Sequence, residues 1–220
     1  MIRKSAMVLF LGMVAFLASC SGQSAQEEMY DHLEKTVTLE DAFKEQQQQL
    51  SALEEEEQQL YSEIINSSKD ELNTIQELSE EAIGIVEERK EKLKLESESI
   101  QSAKEEFNKV APLIEDIEEN EEARNAAEEL VTVMDKRYSN YEELHAAYKE
   151  ALTMDEELYT MLKEENLQES ELRSQVSDIN EKYGRVMEIN ETFNEQTERF
   201  NELKKEFYEA SDLNVDYNES

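Results

Sequence analysis

Apolar residues recur along this chain in steps of three and four, the repeat of a helix that buries one face. The pattern predicts four long helices. The first runs from about Glu27 to Asn66, with Tyr30, Leu33, Val37, Phe43, Leu50, Leu53, Leu60 and Ile64 as its stripe and Gln46 and Glu57 interrupting it. The polar break "NSSKDE" follows, in which Ser68 and Glu71 have the spacing of a capping box. The second helix carries the cleanest heptad. Leu72, Ser79, Val86, Leu93, Ile100 and Phe107 are spaced by sevens, and Ile75, Ala82, Arg89, Glu96, Ala103 and Val110 stand three residues after each. Arg89 and Glu96 therefore sit in an otherwise apolar seam, placed to snorkel or to pair with a neighbouring helix. The phase continues past Pro112 to Ile114 and Ile117, so the proline either kinks this helix or starts the next. The turn falls near Asn120.

The third helix spans about Glu122 to Glu165 on Ala127, Val131, Met134, Tyr138, Tyr141, His145, Tyr148, Leu152, Asp155, Tyr159 and Leu162. After "ENLQES" the fourth spans about Glu169 to Ala210 on Leu172, Val176, Ile179, Tyr183, Val186, Asn190, Phe193, Thr197, Phe200 and Phe207. Four helices of such length joined by short breaks predict an all-α fold, an elongated four-helix up-and-down antiparallel bundle. The repeat near 3.5 predicts left-handed, coiled-coil-like packing. A three-helix or extended coiled-coil arrangement is the alternative. Four helices return the C-terminus to the start of the first helix, and three leave it at the far end. With four glycines and one proline in 220 residues, the turn chemistry of a multi-strand sheet is missing.

Residues 1–26 break the helical pattern. Arg3 and Lys4 precede an apolar run from Ala6 to Phe16, which is too short to span a bilayer, a task for roughly 20 residues. A basic segment before a short apolar one reads as a secretory signal. It ends in "LASC", Leu17 to Cys20: a leucine, two small residues and the chain's single cysteine. This is the lipobox arrangement. Small residues fit a narrow peptidase groove, and the thiol forms a thioether to diacylglycerol. Cleavage between Ser19 and Cys20 is expected, leaving Cys20 lipidated on the outer face of the cytoplasmic membrane. Two acyl chains on one residue suffice for stable anchoring. The expected organisation is a signal peptide over 1–19, a lipidated tether over 20–26, a helical bundle over 27–211 and a flexible tail over 212–220.

Charge narrows the partners. The formal net charge is −33, and removal of residues 1–19 would take away Arg3 and Lys4 and no acid, leaving −35. Such a chain has no basic patch for nucleic acid and is repelled by anionic lipid headgroups. Cations, neutral glycan, basic proteins and apolar partner surfaces remain. No cofactor is implied beyond the covalent diacylglycerol. No nucleophile motif, phosphate-binding glycine loop or zinc spacing appears, which predicts a protein that is not an enzyme. Glu142 and His145 form one Glu-x-x-His, but a di-metal centre needs a second copy, and the residue three before the other histidine, His32, is Met29. The acidic run "LEEEEQQL", Leu53 to Leu60, reads as a solvated face with no convergent oxygens for Ca²⁺.

Two segments offer candidate recognition surfaces. In "RYSNYEELHAAY", Tyr138, Tyr141 and Tyr148 share a helix face and suit stacking on sugar rings, though tyrosines at a bundle boundary are commoner. In "FNEQTERFNELKKEFY", Asn194 and Asn201 follow Phe193 and Phe200 and form a polar row beside a core line. Asn190 and Thr197 read as register-setting polar groups in the seam.

The lipobox followed by "EMYDHLEKTVTLEDAF", "MDKRYSNYEELHAAYKEAL", "DEELYTML" and "FNEQTERFNELKKEFY" resembles the YkyA-like cell-wall-binding lipoproteins of Bacillus and related Gram-positive bacteria. The resemblance covers nearly the whole chain after Cys20. It implies a four-helix bundle and a surface lipoprotein that acts as a wall-associated binding or envelope adaptor module. Expected partners are the membrane through the lipid anchor, peptidoglycan or wall polymers, and envelope proteins. The alternative function is a helical scaffold or chaperone for secreted or membrane proteins.

Overall fold

Pairs of residues reaching across between helices set the direction of each helix against the next. A computed structural model of the chain describes residues 23–68, 71–118, 120–213 and 215. It contains α1 (Ala25–Leu39), α2 (Asp41–Asn66), α3 (Leu72–Phe107), α4 (Val110–Leu113), α5 (Glu121–Leu162) and α6 (Glu169–Ala210). Between α5 and α6 the rungs run Gln175 to the Met154 carbonyl, Lys182 to Glu150, Asn140 to the Ile189 carbonyl, Arg199 to Glu129 and Asn120 to the Ala210 carbonyl. One number rises as the other falls, so the pair is antiparallel. Gln76 to the Lys163 carbonyl, Lys90 to Glu156 and Lys104 to Glu142 set the same sense for α3 against α5. Arg89 to Glu57, Gln47 to Glu96 and His32 to Glu106 set α1 and α2 antiparallel to α3.

The result is the expected all-α four-helix bundle, with α1–α2 and α3–α4 each forming one arm, and no strand among the described residues. At 42 residues, α5 and α6 are each about 63 Å long. The end of α6 meets the start of α1: the Tyr208 hydroxyl donates to Glu34 at 2.7 Å and the Tyr30 and Tyr208 rings lie 5.0 Å apart. That is the closure of four helices, not three. From Ser79 to Val110 every predicted heptad position of α3 and α4 is buried, Arg89 and Glu96 included.

The first arm departs from a continuous helix. It breaks at Glu40, where the side chain of Ser99 enters the ladder. Ser99 Oγ donates to the Leu39 carbonyl at 2.6 Å and accepts from the Phe43 amide at 3.1 Å, standing in for the bond those two groups would make in an unbroken helix. Thr36 and Thr38 donate back to the carbonyls of His32 and Glu34, a local bond that bends helices. The buried line of α1 shifts accordingly to Met29, Leu33 and Thr36.

The ends are firmer than the sequence pattern implies. Ser24 Oγ accepts from the Glu27 amide and Glu27 accepts from the Ser24 amide, a capping box that starts α1 at Ala25 and shortens the expected tether over 20–26. Pro112 kinks the second arm: it has no N–H for the carbonyl of Asn108, and α3 ends at Phe107 before the short turns of α4 and Ile114–Asp116. Asn120 caps α5 through the Ala123 amide. The segment expected to begin a flexible tail instead closes α6. Asp212 takes a left-handed φ of 52°, its amide donates to the Glu209 carbonyl, and that of Leu213 donates to the Tyr208 carbonyl, a Schellman motif. Leu213 and Val215 pack on the core.

The core has two halves. One gathers Met29, Leu33, Phe107, Tyr138, Phe200 and Phe207 around α1. The other gathers Leu50, Leu60, Val86, Leu152, Tyr159 and Ile179 around α2.

Candidate functional site

The polar residues that interrupt the apolar seams meet in the second half of the bundle. Glu57 on α2, Arg89 on α3 and Asp155 on α5 each stand at a core-facing position and are buried. The Arg89 guanidinium donates to Glu57, to Glu54 at 3.0 Å, to the Tyr148 hydroxyl at 2.8 Å and to the Tyr183 hydroxyl at 3.0 Å. Asp155 lies 3.6 Å from the same guanidinium and accepts from Tyr183. Tyr159 donates to Glu57 at 3.1 Å and Tyr148 donates to Glu54. Charged residues buried in this way are held by partners, because an unpaired charge in a core costs several kcal/mol, on the order of 3–5.

One cation among three carboxylates leaves the cluster acidic. Burial, and then the Glu57 charge, push Asp155 up to about 6 against the pull of Tyr183 and Arg89. Burial likewise pushes Glu96, one heptad from Arg89, up to about 7, with Tyr141 and Gln47 opposing it. The phenols of Tyr148, Tyr159 and Tyr183 are raised by burial and stay protonated.

These groups line a cavity of about 680 Å³ bounded by α2, α3, α5 and α6. It exists because α6 packs along α5 but stands off α2, so the first part of α6 is only half-buried: Val176, Tyr183 and Val186 are in part open to it. In the other half of the molecule Arg137 on α5 clamps Glu40, at the junction of α1 and α2, with two bonds of 2.7 Å, donates to Thr197 on α6 and lies over the Phe193 ring at 4.5 Å.

The sequence-predicted residues divide between these regions. Tyr138 and Tyr141 are core residues in the half around Arg137 and present no ring to a sugar. Tyr148 lines the cavity and is bonded through its hydroxyl. Asn194 and Asn201 are exposed beside the buried Phe193 and Phe200. Asn190 is exposed at the cavity margin, and Ile189 takes the seam position expected of it. Thr197 does act across a helix contact, through Arg137. Glu142 is engaged by Lys104 at 2.7 Å and does not join His145, whose pKa burial lowers. Within "LEEEEQQL" the reading as a wholly solvated face fails at Glu57, which turns inward because a helix returns to the same face after three or four residues. Ser19, Cys20 and the signal peptide lie outside the described residues.

The cluster around Arg89 was not assembled from the sequence. Its signal was there in separate places, as the seam position of Arg89, the interruption at Glu57 and the seam position of Asp155.

Comparison with known proteins assigns the chain to a family. A family described as "putative cell-wall binding lipoprotein", YkyA, matches residues 24–210, which is most of the chain. The chain belongs to the YkyA family. A curated relative, the uncharacterized lipoprotein YkyA of Bacillus subtilis (strain 168), is 32% identical over 146 residues. That match covers 66% of this chain and 65% of the relative, so it spans just under two thirds of the YkyA protein's length. A crystal structure of a conserved protein of unknown function from Staphylococcus aureus superposes with a TM-score of 0.73 at 16% identity, covering 86% of this chain and 98% of that one. At that identity the likeness concerns the bundle alone. No helix among the described residues is long and apolar enough to cross a membrane.

Proposed function

We propose that this chain is a lipid-anchored, non-enzymatic binding module on the outer face of the cytoplasmic membrane, where it associates with the cell wall. The observation that carries the reading is the family match over residues 24–210, directly after a leader that ends in "LASC". Cys20 is the attachment residue and Ser19–Cys20 the cleavage site. At a formal net charge of −35 once residues 1–19 are removed, the chain is repelled by anionic wall polymers. Wall contact therefore runs through bridging divalent cations or neutral glycan, and Asn194 and Asn201 are the exposed polar row on offer to it.

Two measurements test this. The chain mixed with purified wall material should sediment with it in Mg²⁺ and lose that retention when Asn194 and Asn201 are both changed to Ala. Absence from the pellet both with Mg²⁺ and with EDTA would refute wall binding. In cells, Cys20→Ala should leave the leader uncleaved or release the protein from the membrane. Normal maturation and membrane retention of that variant would refute the anchor.

A further inference from the structure

The cavity is elongated along the bundle. Its lining runs on α2 from Gln47 to Tyr61 and on α6 from Val176 to Asn190, a span of about 21 Å along either helix. Two stations of carboxylates stand in its wall. At one, the carboxylates of Glu54, Glu57 and Asp155 share the single cation Arg89. At the other, Glu96 is 1% exposed and receives the Gln47 amide at 2.5 Å, with no cation in ion-pair contact among the described residues. The stations lie one heptad apart on α3, about 10 Å along its axis. Leu50 and Leu93 form the wall between them.

From this arrangement we infer that the cavity binds a linear aliphatic polyamine, with one ammonium at Glu96, another at Glu54, Glu57 and Asp155, and the methylenes along Leu50 and Leu93. Charge selects the class. Both terminal nitrogens of Arg89 are taken up by its carboxylates and tyrosines, and although its buried Nε has no partner among the described residues, both ends of the slot have acid in excess of base. The intervening apolar wall suits methylenes, and the acidic exterior concentrates cations near the mouth. Spacing selects a free polyamine over the side chain of a basic peptide, because a single lysine reaches one station only. The inference does not depend on wall association, and a failure of one leaves the other standing.

The test is calorimetric titration of the full chain in detergent, near neutral pH and at about 0.15 M salt so that diffuse attraction is screened. Spermine is the probe and putrescine the short control. One spermine should bind per chain, more tightly than putrescine. Glu96→Gln should weaken spermine about tenfold or more, a step of about 1.4 kcal/mol. Ser51→Trp, at an exposed residue of the cavity mouth, should block binding without changing the thermal midpoint. Glu55→Gln with Glu56→Gln, two exposed acids outside the lining, should change nothing. Several weak equivalents lost equally in the Glu55 and Glu56 variant would show attraction to net charge alone and overturn the site. So would an absence of heat, or a lysine-bearing peptide that binds more tightly than spermine.

Discussion

Tyr138 shows how far a single residue can be read from its helical position. Its place in a heptad seam fits both a core residue and a stacking platform, and only its neighbours separate the two. In the structure its ring meets Phe107 at 6.0 Å, and the hydroxyl is buried with no hydrogen-bond partner among the described residues. A buried donor left unmade costs about 1–3 kcal/mol. Tyr138→Phe removes that hydroxyl and keeps the ring, so it should raise stability by about 1 kcal/mol in urea unfolding and leave wall sedimentation unchanged. Loss of sedimentation with the fold intact would return Tyr138 to the recognition surface. The polar residues of the seams were legible in the same limited sense. Arg89, Glu96 and Asp155 were placed on core-facing lines by their spacing alone. Which helix answers each of them depends on the order of helices around the bundle, and a repeat along one helix carries no information on that.

At the scale of the element, helix existence was strongly written and helix interruption was not. The span of α6 matches its apolar repeat from Glu169 to Ala210, and α5 begins one residue after the expected turn at Asn120. The break at Glu40 escaped because its cause lies on another helix. Ser99 lies outside the two apolar lines of the heptad, just before the seam residue Ile100, and its hydroxyl acts on a carbonyl and an amide 60 and 56 residues away. The β-branched run "TVT" before Glu40 was the local trace of the bend. Ser99→Ala would leave the Leu39 carbonyl and the Phe43 amide without that bridge. The expected cost is about 1–3 kcal/mol, with faster hydrogen exchange at the Phe43 amide than at amides in the middle of α5. Unchanged exchange at Phe43 would mean that the helix closes its own bond and that Ser99 only fills space.

Over the whole molecule, the buried acids tie stability to pH in an uncommon direction. Asp155 and Glu96 have folded pKa values of about 6 and about 7, above their ordinary values of 3.8 and 4.5. The native state therefore holds these protons in a range where the unfolded chain has released them. Their contribution is complete below about pH 4 and is lost as the pH rises through 6 and 7. Glu106 works the other way. The Lys109 bond, with further help from His32 and Lys35 against burial, holds it down at about 2. Its contribution is present above about pH 4.5 and is lost as the pH falls towards 2. The repulsion within a chain of net charge −33 relaxes as carboxylates take up protons and so adds to the first trend. Stability should then be greatest near pH 4 and decline as the pH rises towards neutrality, where Glu96 ionises. Glu96→Gln separates the local cause from the global one, because it removes one buried carboxylate and a single charge among 55 acids. At pH above about 7 it should be more stable than the parent by on the order of 1–3 kcal/mol, and below about pH 4 the two should coincide. A variant that keeps the full slope of the parent would assign the decline to net charge and not to the ionisation of Glu96 inside the cavity.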